Sequence, residues 1–314
     1  MRLPESRFPT TRRRHGGVLV ILVVALFVAV AGAVALFVVR SRAPIFPISA
    51  TERTDDIVTL WNSGDYDELI RVSTERLQEY PVDETALSLR GFGRFYSAMQ
   101  EVKEEKKQDL LIGAVQDMHR VLLLDKLNLR REVHYVLGKA FFHRGRFYYD
   151  SAIYHLTVAQ SEGLLQLDML EYLALAFESL GKYEDAVVYY RKAIDFGNET
   201  VHKVSLADLL IEMGQYQEAD ERLDDARRHT TDVSVIRHAL LSAGRSFQKQ
   251  GRWNEAISAY EELIKLNPAS ADAHFGMGET YAAMGDSNLA RFEWREAVRL
   301  NPNHIESLQR LQDD

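Results

Sequence analysis

The sequence predicts an all-α protein in which a single N-terminal transmembrane helix precedes a solenoid of about seven helical pairs. Two observations lead to this prediction: an uncharged apolar run near the N-terminus, and small, aromatic and proline residues that recur with a 34-residue period. A composition of 46% apolar and 27% charged residues is ordinary for a folded chain. The absence of cysteine excludes disulfides and Cys-ligated metal centres.

Charge is distributed unevenly along the chain. Residues 1–42 contain seven Arg and one Glu and so carry a charge of +6. Because the net charge of the chain is −8, the remaining residues carry −14. An acidic body does not suit nucleic acid, whose phosphates require a basic surface. A basic head beside an apolar run indicates a membrane instead.

The apolar run spans residues 16–39 without a charged side chain. Its length as a helix, roughly 36 Å at 1.5 Å per residue, exceeds a hydrocarbon core of about 30 Å. The Arg excess upstream predicts a cytoplasmic N-terminus and a body across the inner membrane, in the periplasm of a bacterium. A cleaved signal peptide, with Ala31-Gly32-Ala33 as the cleavage site, is the alternative.

The repeat is clearest near the C-terminus. Equivalent residues lie 34 positions apart in the last two repeats: Gly251 and Gly285, Ala256 and Ala290, Tyr260 and Trp294, Pro268 and Pro302. Small residues let two helices approach closely, and aromatic residues fill the space between neighbouring pairs. A single pair cannot bury its own apolar face, so stacking of pairs supplies the core.

This pattern resembles the tetratricopeptide-repeat (TPR) family. The last repeat carries it in full: Met277-Gly278, Tyr281, Gly285, Ala290, Trp294, Ala297 and Pro302. Repeats at 167–199, 200–233 and 237–270 follow the same pattern. The resemblance implies a right-handed α-solenoid that binds proteins. Residues 133–149 also resemble spirochaete inner-membrane repeat proteins, including those that assemble around periplasmic flagellar motors.

Two upstream repeats depart from the pattern. In repeat 131–165 the second-helix alanine, Ala152, comes two residues late, which predicts a longer turn. Residues 86–128 carry a charged insertion, 101–108, interpreted as a helical extension or a recognition arm. For the first helix of this repeat we favour the register that aligns Phe92-Gly93 with Met277-Gly278 of the last repeat. The alternative register, through Leu87 and Gly91, places Arg90 and Arg94 at core positions.

The predicted organisation follows the chain in six segments. They are a basic cytoplasmic N-terminus (1–15), the transmembrane helix (16–39), a linker (40–49), degenerate TPR-like repeats with the insertion (50–130), TPR repeats (131–304) and a C-terminal capping helix (305–314).

Catalytic motifs are absent from the sequence. It has no phosphate-binding Gly-rich loop followed by Lys-Ser or Lys-Thr, no His-Glu-x-x-His and no Gly-x-Ser-x-Gly. We therefore predict no catalytic, cofactor-binding or metal-binding residues, no cofactor and no small-molecule substrate.

In the TPR family the first helix of each pair lines a binding groove. Transferring the family's groove positions predicts a partner-binding surface formed by Tyr135, Lys139, Phe142, Asp168, Glu171, Glu178, Asp208, Ile211, Glu212, Arg245, Lys249, Phe275 and Glu279. Its acidic centre suits a basic or helical segment, or its charges only solvate the surface. The Lys and Asn set with which chaperone-binding members grip a peptide carboxylate is not reproduced.

An aromatic stretch accompanies the lengthened turn. Phe147, Tyr148 and Tyr149 form either a docking patch or part of the core. The sequence thus predicts a membrane-anchored scaffold that recruits cell-envelope proteins. The alternatives are a structural component of a periplasmic machine, such as a flagellar motor collar, and an enzyme or its accessory subunit.

Overall fold

The computed structural model describes residues 55–124, 128–197 and 200–313. Throughout these ranges the chain is helical and contains no β-strand, which confirms the all-α prediction. No helix among the described residues has the length and apolar character needed to cross a membrane. The predicted transmembrane helix, 16–39, and the linker, 40–49, lie outside the described residues.

The chain divides into two compact units, 1–124 and 125–314. The described part of the first unit contains four helices: α1 (Asp55–Ser63), α2 (Tyr66–Glu79), α3 (Glu84–Gln100) and α4 (Glu104–Leu122). The described part of the second contains eleven: α5 (Arg130–His143), α6 (Tyr149–Ser161), α7 (Leu167–Ser179), α8 (Tyr183–Gly197), α9 (Thr200–Glu212), α10 (Tyr216–Arg228), α11 (Val233–Lys249), α12 (Trp253–Leu266), α13 (Ala271–Ala283), α14 (Ser287–Leu300) and α15 (Ile305–Asp313). Two pairs in the first unit and five in the second agree with the predicted seven.

The ends of the helices are specified locally. Ser270 and Asp286 cap α13 and α14, where their side chains accept from the amides of Ala273 and Leu289 at 3.3 and 3.0 Å. Such caps satisfy amides that the first helical turn leaves unpaired. At the other end, Pro268 and Pro302 follow α12 and α14 and force the residue before each out of the helical region.

Small residues allow the two helices of a pair to touch. A Cβ on Gly278 would lie 2.5 Å from the Trp294 ring, and one on Gly138 would lie 2.6 Å from Leu156 Cγ. In the regular pair the two contacting residues are 16 positions apart, whereas in α5–α6 they are 18 apart. The two extra residues, Phe147 and Tyr148, belong to a 3₁₀ turn, Arg146–Tyr148, which confirms the longer turn that the late alanine predicts.

The predicted register of α3 is wrong. A Cβ on Gly91 would lie 3.0 Å from Met118 Cγ and 3.4 Å from a carbonyl of α4, so Gly91 is the small residue of this pair. Gly93 instead faces α2, with Leu69 at 3.2 Å. This register places Arg90 and Arg94 in the core, which is why the sequence favours the other one.

Asp117 resolves that objection. Arg90 donates to both of its carboxylate oxygens, at 2.6 and 2.8 Å, and Arg94 Nη1 lies 2.6 Å from Oδ2. All three side chains are largely buried. A buried guanidinium is tolerated where a carboxylate pairs with it, so core positions of this pair carry charge.

The charged insertion extends α3 and α4. α3 continues to Gln100 and α4 begins at Glu104, so only three residues of the loop separate them. The Glu101 carboxylate accepts from the amides of Val102 and Lys103, both at 3.0 Å, which orders this loop. The structure therefore favours the helical extension over a separate recognition arm.

Candidate functional site

Several predicted groove residues are buried in contacts between successive first helices. Tyr135 Oη donates to Asp168 at 2.6 Å, and Lys139 Nζ lies 2.8 Å from the same carboxylate. Tyr135, Lys139 and Ile211 are 5% exposed or less. These three side chains link α5 to α7 or fill the core, and they do not form a surface for a partner.

The predicted acidic centre is partly satisfied from within the fold. Glu178 accepts from Tyr190 Oη at 2.8 Å, and Asp208 accepts from Ser242 Oγ and lies 2.8 Å from His238 Nε2. Burial, together with the nearby Glu178 carboxylate, raises the pKa of Tyr190, so this phenol stays protonated and donates.

Two carboxylates of the acidic centre remain accessible. The Glu171 side chain is about half exposed and lies 4.0 Å from His202 Nε2. Glu212 is exposed at the end of α9. The acidic surface of the second unit is therefore smaller than the sequence predicts.

A pocket of ≈160 Å³ lies on the first-helix side of the last two repeats. Arg245 of α11, and Phe275 and Glu279 of α13, line it, as their predicted groove positions require. Lys249, the remaining predicted residue of this region, is exposed and lies outside this set. The structure thus brings three of the thirteen predicted groove residues together around one cavity.

Gln248 stabilises the base of this pocket. Its amide nitrogen donates to the Gly276 carbonyl at 2.8 Å and to Thr280 Oγ1 at 2.7 Å, and its amide oxygen accepts from Tyr260 Oη at 2.7 Å. Both the nitrogen and the oxygen of the amide form hydrogen bonds, so the base of the pocket is rigid before a partner binds.

The helix α15 closes the far side of the pocket. Arg310 forms a bidentate pair with Glu279, and the His304 ring packs 5.2 Å from the Phe275 ring. Arg245, by contrast, is exposed and has no ion pair within the described ranges. The pocket therefore offers an aromatic wall, a closed polar base and one available cation, and the carboxylates of Asp272 and Glu306 line it beside His304, at 3.4 and 3.6 Å from its ring nitrogens.

The predicted aromatic patch is divided by its environment. Phe147 is fully exposed, with a relative exposure of 101%. Tyr148 is held between Arg144, 4.0 Å from its ring, and Phe141, whereas Tyr149 stacks on Phe142 at 5.0 Å. Of the three, Phe147 alone presents its whole ring to solvent.

The histidines form contacts that spacing alone does not reveal. His134 and His143 both lie on α5, but His134 Nδ1 is 2.8 Å from His155 Nδ1, and His143 is bonded to Tyr172. Burial lowers the pKa of His134. No group of three or more His, Asp or Glu side chains in the described part of the chain is arranged to hold a metal ion.

Two residues that shape the pocket could not be predicted from the family's groove positions. Tyr260 and His304 occupy packing or connecting positions in the repeat, and only the fold brings them to the cavity. A usable signal existed for His304: it lies directly before α15 and caps that helix by accepting from the Ser307 amide at 3.2 Å.

Comparisons with known sequences identify the repeat. Family profiles described as "TPR repeat" and "Tetratricopeptide repeat" match residues 244–285, and 169–196 and 271–304, respectively. The TPR repeat-containing protein YpiA of Bacillus subtilis is 20% identical over 179 residues, 57% of this chain and 42% of YpiA. Mouse protein O-mannosyl-transferase TMTC2 is 32% identical over 89 residues, 27% of this chain and 10% of that protein. The chain therefore spans less than half the length of these curated relatives.

A solved structure supports the same fold. The C-terminal part of a TPR repeat-containing protein from Cytophaga hutchinsonii superposes with a TM-score of 0.61 and 17% identity, covering 81% of this chain and 97% of that one. At this identity the likeness concerns the fold alone. Together, the helical pairs, the glycines where their helices touch and the profile matches show that this chain contains tetratricopeptide repeats.

Proposed function

We propose that the chain is a protein-interaction scaffold, tethered to a bacterial inner membrane by residues 16–39, with its repeats in the periplasm. The observation that carries the binding role is the pocket lined by Arg245, Phe275 and Glu279. It combines an aromatic wall with an available cation, and aromatic and Arg side chains dominate protein interfaces. The membrane tether rests on the apolar run and the Arg excess before it.

The pocket suits a short segment of a partner protein. Its ≈160 Å³ accommodates one side chain, so neighbouring residues of the partner would extend along the first helices. Arg245 favours a carboxylate beside that side chain, because charge-assisted hydrogen bonds to guanidinium are among the strongest. The partner is therefore an envelope protein that presents an apolar residue next to an acidic one.

Photocrosslinking of the full chain in its own cell tests this function. A photoreactive phenylalanine at Phe275 should capture a discrete partner, and the adduct should disappear with Arg245→Glu. Phe292 is the matched control, since it belongs to the same repeat but is exposed on the second helix, α14. Adducts of equal yield at both positions, or none at Phe275, would contradict the proposal.

Topology requires a separate experiment. A reporter that works only in the periplasm should be active when it is fused after the last residue. A reporter that works only in the cytoplasm should be inactive at the same position. A fusion active only in the cytoplasm would overturn the proposed orientation while leaving the binding role intact.

A fixed structural part of a periplasmic machine is the second candidate. The fully exposed Phe147 favours it, because a permanent neighbour would cover an aromatic ring that the chain itself leaves in water. Imaging of a deletion strain separates the two functions: loss of a defined envelope structure supports the machine, and an intact structure supports the adaptor.

A further inference from the structure

The turn between α5 and α6 contains two residues that the other turns of the second unit lack. Elsewhere a turn glycine is followed by one residue and then the first residue of the next helix, as in Gly181-Lys182-Tyr183. Here Phe147 and Tyr148 are added before Tyr149. One of these two inserted aromatics, Phe147, is the most exposed large apolar residue among the described residues.

The inserted turn is held in a defined conformation. Gly145 adopts φ +100°, which favours glycine, and its carbonyl accepts from the Tyr148 amide at 2.9 Å. Arg144 donates to Tyr148 Oη at 2.9 Å and lies 4.0 Å from the ring centroid. Tyr148 thus anchors the turn, while Phe147 projects into solvent and packs against none of the other described residues.

A second pocket, of ≈410 Å³, opens between α10, α11 and α12. Leu223, Ala243, Phe247 and Ala259 form its apolar floor. Ala243 directly precedes Gly244, the small residue at which the two helices of its repeat touch. At the position of Ala243, the other repeats of the second unit carry a larger side chain: Leu137, Leu173, Leu206 and Met277. The missing side-chain volume at Ala243 explains why a cavity opens at this junction.

The rim of this pocket is acidic. Asp220, Glu221 and Asp224 line it beside two Arg, and Asp220 is already paired with Arg252 at 3.1 Å. Glu221 accepts only from a neutral amide, Gln217 Nε2, and within the described ranges it has no cationic partner. The pocket therefore combines an apolar floor with an uncompensated carboxylate.

The turn presents the complementary chemistry. Arg146 is exposed directly beside Phe147 and forms no ion pair with any described residue. At about 30 Å³ per water molecule, ≈410 Å³ corresponds to more than ten waters, which leaves room for an aromatic ring. An exposed aromatic beside a free cation matches an apolar floor beside a free carboxylate.

We propose that Phe147 of one copy of this chain inserts into the pocket of a second copy, so that Arg146 meets Glu221. Turn and pocket are different surfaces of one chain, so the contact is heterologous, and each copy can donate a turn and accept another. Such a contact assembles copies head to tail into a ring or an open array. It is independent of the groove pocket that the proposed function uses.

Disulfide trapping tests the contact directly, because the full chain contains no cysteine of its own. One variant carries Arg146→Cys and the other Asp224→Cys, which leaves Phe147 and the pocket floor intact. Mild oxidation of the mixed full-length proteins should give the 146–224 heterodimer. Ser287→Cys, at the exposed start of α14 in the last repeat, is the matched control in place of position 146.

Two further changes separate the anchor from general association. Phe147→Ala on the first chain, or Ala243→Leu on the second, should each lower the heterodimer yield about tenfold or more, since each removes the burial of one aromatic side chain. Phe292→Ala, at another exposed Phe, should leave the yield unchanged. Leucine at 243 restores the residue type of other repeats, so folding is preserved.

A charge exchange tests the polar half of the contact. Arg146→Glu in otherwise native full-length chains should weaken self-association measured by sedimentation, and Glu221→Arg in the same chain should restore it. A 146–224 yield no higher than that of the 287 control, or a yield insensitive to Phe147→Ala, would overturn the proposal. Burial of Phe147 against lipid or another protein would give that second result.

Discussion

The pairs α3–α4 and α13–α14 join their helices with the same geometry but different chemistry. A glycine faces the second helix in each: Gly91 faces Met118, and Gly278 faces Trp294. Beside Gly278 the preceding core position holds Met277, whereas beside Gly91 it holds Arg90, which is buried against a carboxylate. One pair is closed by an aromatic ring and the other by an ionic cluster.

The difference shows which part of the repeat is indispensable. Both pairs keep a small residue, because a bulky side chain does not fit where the helices touch. The flanking positions accept charge provided that the opposite charge arrives from the facing helix. Since a buried ion becomes costly when its partner is removed, the ionic pair should respond to single substitutions more strongly than the aromatic pair.

The largest effect is expected for Asp117→Ala. The change leaves Arg90 buried without a counter-ion, and we expect a loss of about 3–5 kcal/mol in the stability of the first unit. Hydrogen exchange of the full chain should show lost protection within 55–124 only. Asp109→Ala, an exposed residue on the same helix, is the control and should change little. Equal effects of the two changes would refute the ionic cluster as the basis of this pair.

Alanine in place of the two glycines at the helix contacts should destabilise the aromatic pair more than the ionic pair, the reverse of the order expected for loss of a charge. Gly278→Ala places a Cβ 2.5 Å from the rigid Trp294 ring, and we expect about 1–3 kcal/mol of destabilisation. Gly91→Ala meets the flexible Met118 at 3.0 Å and gains up to about 1 kcal/mol of helix propensity. Denaturant titration of both variants measures the difference. A Gly91→Ala effect as large as that of Gly278→Ala would show that Met118 cannot move.

Acidification should weaken the irregular pair α5–α6. Burial lowers the pKa of His134, so between its folded and unfolded pKa values the unfolded chain binds more protons. The contribution of His134 to the stability of the fold is then fully present above about pH 6.5, and it is lost as the pH decreases through the folded pKa. Exchange protection in α5 and α6 should drop from pH 7 to pH 5, and less so in His134→Asn. An unchanged pH profile in that variant would assign the effect to other groups.

The regular repeats should show a smaller effect of opposite sign. The hydrogen bond to Asp208 raises the pKa of His238, so its contribution is complete below about pH 6.5 and lost as pH rises through the folded pKa. His238 is half exposed, which limits the effect to a few tenths of a kcal/mol. NMR titration of its ring in wild type and in Asp208→Asn measures the shift directly. Identical titration curves would show that Asp208 does not raise the pKa of His238.

The regular repeats were predictable because their signals are local in sequence. Ala290 and Trp294 lie on one helix and Gly278 lies 16 residues before the ring that it faces, so a fixed period identifies the pairs. The two-residue delay of Ala152 likewise predicted the longer turn at 146–148. The register of α3 was not predictable in this way, because the carboxylate that neutralises Arg90 lies 27 residues away, beyond the insertion.

The candidate site was predicted only in part for a related reason. Arg245, Phe275 and Glu279 follow from the family's groove positions, and the structure places all three at one pocket. Tyr135 and Lys139 occupy equivalent positions but are buried against Asp168 of the next repeat. A groove position specifies the direction of a side chain, whereas burial depends on what the neighbouring repeat places opposite it.

The sequence by itself therefore determined the helical class, the pairing of helices and the lengthened turn, since each depends on spacing along the chain. Only the tertiary structure decided which charges are neutralised, which groove residues are accessible, and where the absence of a larger side chain at Ala243 opens a cavity. Those properties depend on contacts between distant segments. Phe147 is exposed for the same physical reason, since no other described residue packs over its ring.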